Sequence, residues 1–208
     1  MHWDSLGWFV VVPLAYLVGS FPTAYITGRL LINADIRELG DRNAGSANVF
    51  RTLGLRAGSL VCVIDALKGV LALLITKALM DGVLAEMAAG LAAVAGHNWP
   101  FYLGFRGGRG AATALGVLMT LVYPAGIIMG MVALGAVIIF RKSTTAIAMS
   151  FIPLPLVAWM TDASLGQVFY SILLPVVVGL SHFASVRKLT VESGAGGQEA
   201  ITPTVERS

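Results

Sequence analysis

Apolar stretches long enough to cross a lipid bilayer alternate along this chain with polar connections, and no other feature constrains its fold as strongly. In hydrocarbon every backbone amide and carbonyl must find a partner within the protein, which leaves helices and closed barrels as the spanning forms. A helix rises about 1.5 Å per residue, so roughly 20 apolar residues cross the membrane core. Composition agrees: 57% of residues are hydrophobic, 12% are charged, and mean hydropathy is +0.82. The expected class is an all-α polytopic membrane protein. The single cysteine, Cys62, lies in an apolar run, so no disulfide framework or cysteine-rich metal site is available and helix packing must hold the fold.

Seven crossings are expected, over approximately 6 to 29, 57 to 79, 83 to 101, 109 to 122, 124 to 140, 146 to 161 and 166 to 186. The stretch from 109 to 140 could form one long tilted helix, but Pro124 removes a backbone donor at its middle and marks a turn. With a hairpin there, Arg37, Arg42, Arg51, Arg56, Arg106, Arg109, Arg141, Lys142, Arg187 and Lys188 share one side. Asp4, Asp81, Glu86 and Asp162 share the other, and Lys77 is the exception. The positive-inside bias then places the N-terminus outside and the C-terminus in the cytoplasm. Asp4 stands where a cleavable signal peptide would carry positive charge, so the first span is expected to remain. Residues 1–189 form the expected membrane domain, and the polar stretch 190–208, with no apolar face, is expected to be a disordered cytoplasmic tail. The net charge of +3 follows from topology, so membrane lipids are expected partners and nucleic acid is not.

Polar chemistry gathers at the cytoplasmic edge. The sequence GHNWPFYLGFRGGRGAATALG, residues 96 to 116, sets His97, Arg106 and Arg109 among Gly107, Gly108 and Gly110 between two apolar segments. Glycine-rich backbone followed by a helix N-terminus forms an anion cradle, and the flanking arginines add fixed positive charge. The 24-residue connection from Ile32 to Leu55 carries Asp41, Asn43, Gly45, Ser46, Asn48 and Arg51, a mixture of small, amide and guanidinium groups suited to phosphate oxygens. Arg37 and Arg56 read better as topology signals facing headgroups. In RKSTT, 141 to 145, the hydroxyl of Thr144 can bind an anion, although capping the next helix is the better reading. Helical spacing sets His182 and Ser185 near one face at the end of the last span. Within the second span Asp65 and Lys68 stand three apart, a spacing that lets a buried carboxylate and ammonium neutralise one another as a structural pair.

Several signatures are missing. The glycine run lacks the Lys-Ser or Lys-Thr of a nucleotide-binding P-loop, and no HExxH zinc motif or GxSxG nucleophile elbow occurs. Neither His97 nor His182 is followed five residues later by the aspartate used in the common soluble-faced acyltransferases. An anion-rich pocket with few bases suits an already activated substrate, where positioning and oxyanion stabilisation replace a strong protein nucleophile.

These residues resemble the bacterial membrane glycerol-3-phosphate acyltransferases that use acyl-phosphate, the PlsY family, over nearly the whole chain. The resemblance rests on Gly19-Ser20-Phe21-Pro22 with Gly40 through Arg51, on Gly96 to Gly116, on Asp65 through Gly69, and on the stretch around His182 to Leu189. It implies a seven-span, N-out enzyme of the bacterial inner membrane with its active site facing the cytoplasm. Acyl groups would pass from acyl-phosphate to the 1-hydroxyl of glycerol 3-phosphate, giving lysophosphatidic acid and phosphate. No cofactor or metal would be needed, and an acyl-phosphate-forming enzyme would stand upstream.

Residue by residue, the resemblance assigns Asn43, Gly45, Asn48 and Arg51 to its first motif and His97, Gly107, Gly108 and Gly110 to its second. Arg106 and Arg109 stand where the family has lysines, Thr144 where it has a serine, and Ser185 where it has an asparagine. Asp41 replaces a serine beside the phosphate site, a carboxylate that repels a dianion unless Arg42 or Arg51 neutralises it. The expected mechanism has Arg51, Arg106 and Arg109 hold two phosphates, while Asn48 and the 107 to 110 amides stabilise the oxyanion. His97 orients the acceptor, and the acceptor's phosphate or Asp41 takes the hydroxyl proton. A transporter for a small organic phosphate could use similar groups, but would place them near the bilayer midplane, and a different polyol-phosphate acceptor is the other alternative.

Overall fold

The computed structural model describes residues 3–140 and 143–198, with side chains described for 6–137, 139–140 and 145–184. Within them every regular element is helical. The expected first span is two helices, α1 (Trp3–Gly19) and α2 (Thr23–Ile32), separated at Ser20, Phe21 and Pro22. Pro22 supplies no amide hydrogen and disfavours helical backbone at Phe21, so the helix cannot run straight through. The long connection that follows holds a helix of its own, α3 (Ser46–Leu53), which buries Val49 and lies on α4 (Leu55–Leu79).

The middle of the chain follows the expected order with α5 (Val83–Asn98), α6 (Ala111–Leu121) and α7 (Ala125–Phe140). Pro124 occupies the connection between α6 and α7, where the break was expected. The apolar stretch 146 to 161, expected as one crossing, is instead α8 (Ser143–Phe151) and α9 (Leu154–Met160), because Pro153 and Pro155 interrupt the amide ladder and favour a new helix start. Finally α10 runs Leu165–Gln198, past the boundary at 189. Among the described residues three stretches are long and apolar enough to cross a membrane: Leu6–Ile32 taken across its break, Leu55–Leu79 and Leu165–Ala184. The other expected crossings fall on shorter helices.

Close helix contact depends on small residues. Helix α1 packs on α5, and α4 packs on α6. A Cβ on Gly116 would strike the Ala66 carbonyl of α4, and one on Gly69 would strike the Thr113 carbonyl of α6, so the two backbones touch through a reciprocal pair of glycines. Without a hydrophobic force between helices in lipid, such van der Waals approach supplies much of the association. Around it Leu73, Val94, Val117, Leu118, Tyr170 and Leu174 form a buried cluster joining α4, α5, α6 and α10. The hydroxyl of Tyr170 donates to the Met87 carbonyl at 2.8 Å, which satisfies the polar end of a buried ring. Lys77, the exception to the charge pattern, lies 3.4 Å from Glu86, across the turn between α4 and α5.

Gly116→Leu should force α4 and α6 apart, an overpacking cost of about 1–3 kcal/mol or more. A lowered midpoint in detergent unfolding, relative to Gly135→Leu, checks this, since no atom lies within 4 Å of a Cβ at Gly135.

Candidate active site

Two helices begin at one cavity. Gly45, Ser46 and Ala47 at the start of α3 and Gly110, Ala111 and Ala112 at the start of α6 line a space of about 250 Å³, together with Arg109 and His97. First-turn amides lack helical acceptors and carry the positive end of the helix dipole, so their convergence with a guanidinium makes a site for anionic oxygen. Asn43 and His182 complete the polar part, while Ile147, Phe151, Pro175 and Val178 from α8 and α10 form an apolar wall. The lining thus combines charged and polar side chains, the Asp65 carboxylate among them, with hydrocarbon.

The glycine-rich loop works differently from the expected amide cradle. Gly107 N–H donates to the Asn98 carbonyl at 3.1 Å and Gly108 N–H to the His97 carbonyl at 3.0 Å, so both amides serve to fold the loop back on the end of α5. Gly108 is needed for space, because a Cβ there would collide with His97 Nε2. Gly110 adopts φ +78°, a left-handed conformation that favours glycine, and so turns the chain into α6. The Ala44 amide donates to the Gly107 carbonyl at 3.4 Å, which joins the two expected motifs directly.

His97 is 7% exposed and lies under this loop. Its Nδ1 is 3.2 Å from Lys68 Nζ and 3.7 Å from Asp65 Oδ1. Lys68 in turn lies 2.8 Å from Asp65 and donates to the Phe21 carbonyl at 2.9 Å. The expected Asp65 and Lys68 pair therefore forms, and it extends to the histidine. Spacing in the sequence exposed the pair; its contact with α5 needs the bundle.

Asn48 is fully buried, and its amide nitrogen donates to the carbonyls of Ile36, Leu39 and Asn43 at 2.9, 3.0 and 3.0 Å. Its oxygen accepts the Asp41 amide at 3.1 Å. Every polar atom of this side chain is engaged by loop backbone, which corrects the expectation of an oxyanion donor. Asp41 is not among the residues lining the cavity; its carboxylate pairs with Arg51 and lies 3.2 Å from Arg109. The expected repulsion is thus neutralised by two arginines, with Arg109 taking the place considered for Arg42. Arg51 meets Asp41 and Arg106 is exposed, so of the three expected phosphate ligands Arg109 is the one on the cavity wall among the described residues. The side chains of Thr144 and Ser185 lie outside the described residues. Sequence reasoning passed over Asn98, whose amide donates to Ser181 at 3.0 Å and ties α5 to α10; an Asn beside a singled-out His at a helix end was the available signal.

The loop is locked from outside by Arg37, which binds Asp35 at 2.7 Å and donates to the Leu103 carbonyl at 2.8 Å. The hydrogen bonds from Arg37 hold the Asp35 carboxyl below its usual pKa.

Helices long and apolar enough to cross a membrane, around a cavity lined by both polar and apolar residues, define the class: a helical integral membrane protein. Residues 9–192 match the family model described as Glycerol-3-phosphate acyltransferase. The chain belongs to this glycerol-3-phosphate acyltransferase family. Glycerol-3-phosphate acyltransferase 4 of Dehalococcoides mccartyi is 47% identical over 179 residues, covering 85% of this chain and 96% of that protein. Among solved structures, PlsY (YgiH), an integral membrane glycerol 3-phosphate acyltransferase, aligns in its glycerol 3-phosphate form with TM-score 0.73 at 30% identity, covering 89% of this chain and 92% of that one. Its lysophosphatidic acid form aligns with TM-score 0.71 at 29% identity, with the same coverage.

Asn48→Asp keeps the shape but removes the donors facing three carbonyls, and each unmet buried group costs about 1–3 kcal/mol. Loss of glycerol 3-phosphate binding with unchanged helical circular dichroism is the expected result. For Asp35 the folded pKa is lowered, so its contribution is present above the usual carboxylate value and disappears as pH falls through the lowered one. The thermal midpoint of the wild type should exceed that of Asp35→Asn at pH 7, and the gap should close below about pH 3.9.

Proposed function

We propose that this protein transfers an acyl group from acyl-phosphate to the 1-hydroxyl of glycerol 3-phosphate, releasing 1-acylglycerol 3-phosphate and inorganic phosphate. The observation that carries this reading is the convergence of two helix N-termini and Arg109 on a cavity that apolar residues of α8 and α10 also line. The hydroxyl oxygen of the acceptor attacks the acyl carbon, the bond from that carbon to the phosphate oxygen breaks, and phosphate leaves. Arg109 and the helix ends stabilise the charge that gathers on the acyl oxygen and the departing phosphate. The hydroxyl proton passes to a substrate phosphate oxygen. Asp41 serves as a clamp between Arg51 and Arg109, in support of which its carboxylate meets both guanidinium groups.

In this reading Asn43, Ser46 and His182 bind substrate oxygens, and Asn48 shapes the loop they stand on. Thr144 and Ser185 retain the binding roles that the family resemblance implies. Seven crossings of the bacterial inner membrane, N-terminus out and C-terminus in, would set the cavity at the cytoplasmic face, where the acyl chain enters from lipid and glycerol 3-phosphate from water. The charge distribution along the sequence supports that orientation. An acyl-phosphate-forming enzyme supplies the donor.

Purified protein offered palmitoyl-phosphate, palmitoyl-CoA or acylated carrier protein with glycerol 3-phosphate should form lysophosphatidic acid from the first alone; turnover with either thioester would refute the donor assignment. Arg109→Ala should lower kcat/KM at least about tenfold, since charged hydrogen bonds contribute about 1.5–3 kcal/mol. Asp41→Asn should keep kcat within about fivefold, as expected of an ion pair worth up to about 1 kcal/mol. A collapse of kcat would return Asp41 to the role of base.

A further inference from the structure

Two hydrogen-bonding partners and a counter-ion surround the Lys68 ammonium: the Phe21 carbonyl at 2.9 Å, His97 Nδ1 at 3.2 Å, and Asp65 Oδ1 at 2.8 Å as an ion pair without hydrogen-bond geometry. The two oxygens can only accept. An ammonium has no lone pair, so the contact with His97 requires the imidazole to accept at Nδ1, and the single ring proton of the neutral form then sits on Nε2. Asp65 Oδ1, at 3.7 Å from the same nitrogen, is beyond hydrogen-bonding distance and does not draw the proton to Nδ1. Nε2 is the ring atom that a Cβ on Gly108 would strike, and His97 is one of the residues lining the cavity.

We infer that Lys68 is a positioning residue that fixes His97, a residue of the cavity wall, as a neutral Nε2–H donor. His97 therefore serves as a donor to substrate oxygen and not as a general base, because Nδ1 is taken up by the ammonium and Nε2 already carries its proton. Asp65 acts one step further back by compensating the ammonium. This deepens the acyl-transfer reading and rests on it for the identity of the oxygen that Nε2–H meets. The geometry also couples the site to the break between α1 and α2, since the same ammonium holds the Phe21 carbonyl. Any movement of that break shifts the group that sets the histidine.

The test is nitrogen NMR of protein labelled at the histidine nitrogens, in detergent at neutral pH. The chain has three histidines, and the His97 signals are those lost in His97→Gln. A pyridine-type Nδ1 with a pyrrole-type Nε2 is expected; the opposite tautomer or a doubly protonated ring overturns the inference. The double variant Asp65→Asn, Lys68→Met removes the ammonium without leaving an unpaired buried carboxylate. Its His97 should lose the single tautomer, and kcat/KM should fall at least about tenfold. An unchanged Nε2–H tautomer in that variant would show that Lys68 does not set it. Glycerol 3-phosphate added to the wild type should move the Nε2 resonance and spare Nδ1. Were neither to move while the tautomer stood, the acceptor-site reading would fail and His97 would lose its role as substrate donor, with the role of Lys68 in setting the ring intact.

Discussion

A single ammonium ion buried in α4 ties together three segments of this molecule. Placing a charged side chain at the centre of a bilayer costs about 2.5–3.5 kcal/mol on insertion scales, and the cost falls when an opposite charge and further acceptors surround it. Lys68 is 6% exposed and has Asp65 on its own helix, the Phe21 carbonyl from the α1–α2 break, and His97 from the end of α5. Three segments distant in sequence meet at one nitrogen. The break that Pro22 makes in the first helix leaves the Phe21 carbonyl free to join that meeting, and His97 reaches it from the end of α5.

Packing around this point is made by the absence of side chains. Gly69 and Gly116 let α4 and α6 touch backbone to backbone, which carries the start of α6 to the cavity, and Gly108 leaves room for the His97 ring. The first loop reaches the same place by another route, with buried Asn48 drawing three carbonyls around one amide and presenting the start of α3. Two helix starts and Arg109 then share a cavity with an apolar wall. That lining is what the proposed reaction calls for, since it asks for no residue with a strongly nucleophilic side chain.

Much of this was legible without coordinates. The order of the apolar helices, the break at Pro124 and the closeness of the first loop to the glycine-rich loop all followed from apolar lengths, proline chemistry and charge. Pro22 and Pro153 divide two expected crossings by the same loss of an amide donor that operates at Pro124. Roles within the loops were harder to read. Asn48, Asp41 and Arg51 have the residue types of a phosphate site, yet Asn48 is consumed by backbone and Asp41 by arginines. A residue type states which bonds a side chain can make, and its neighbours in space decide which it does make.

Hydrophobic length and charge asymmetry determined by themselves that this is a helical membrane protein, and the glycine and arginine motifs marked the connections that meet at the cavity, because those properties belong to segments of continuous chain. Tertiary structure alone decided that Arg109 and not Arg106 lines the cavity, that Asp41 is neutralised by two guanidinium groups, and that Lys68 meets Nδ1 of His97. Each of those facts is a distance of a few ångströms between residues on different elements. Such distances are set by how closely the helices pack, and no single segment of the sequence contains them.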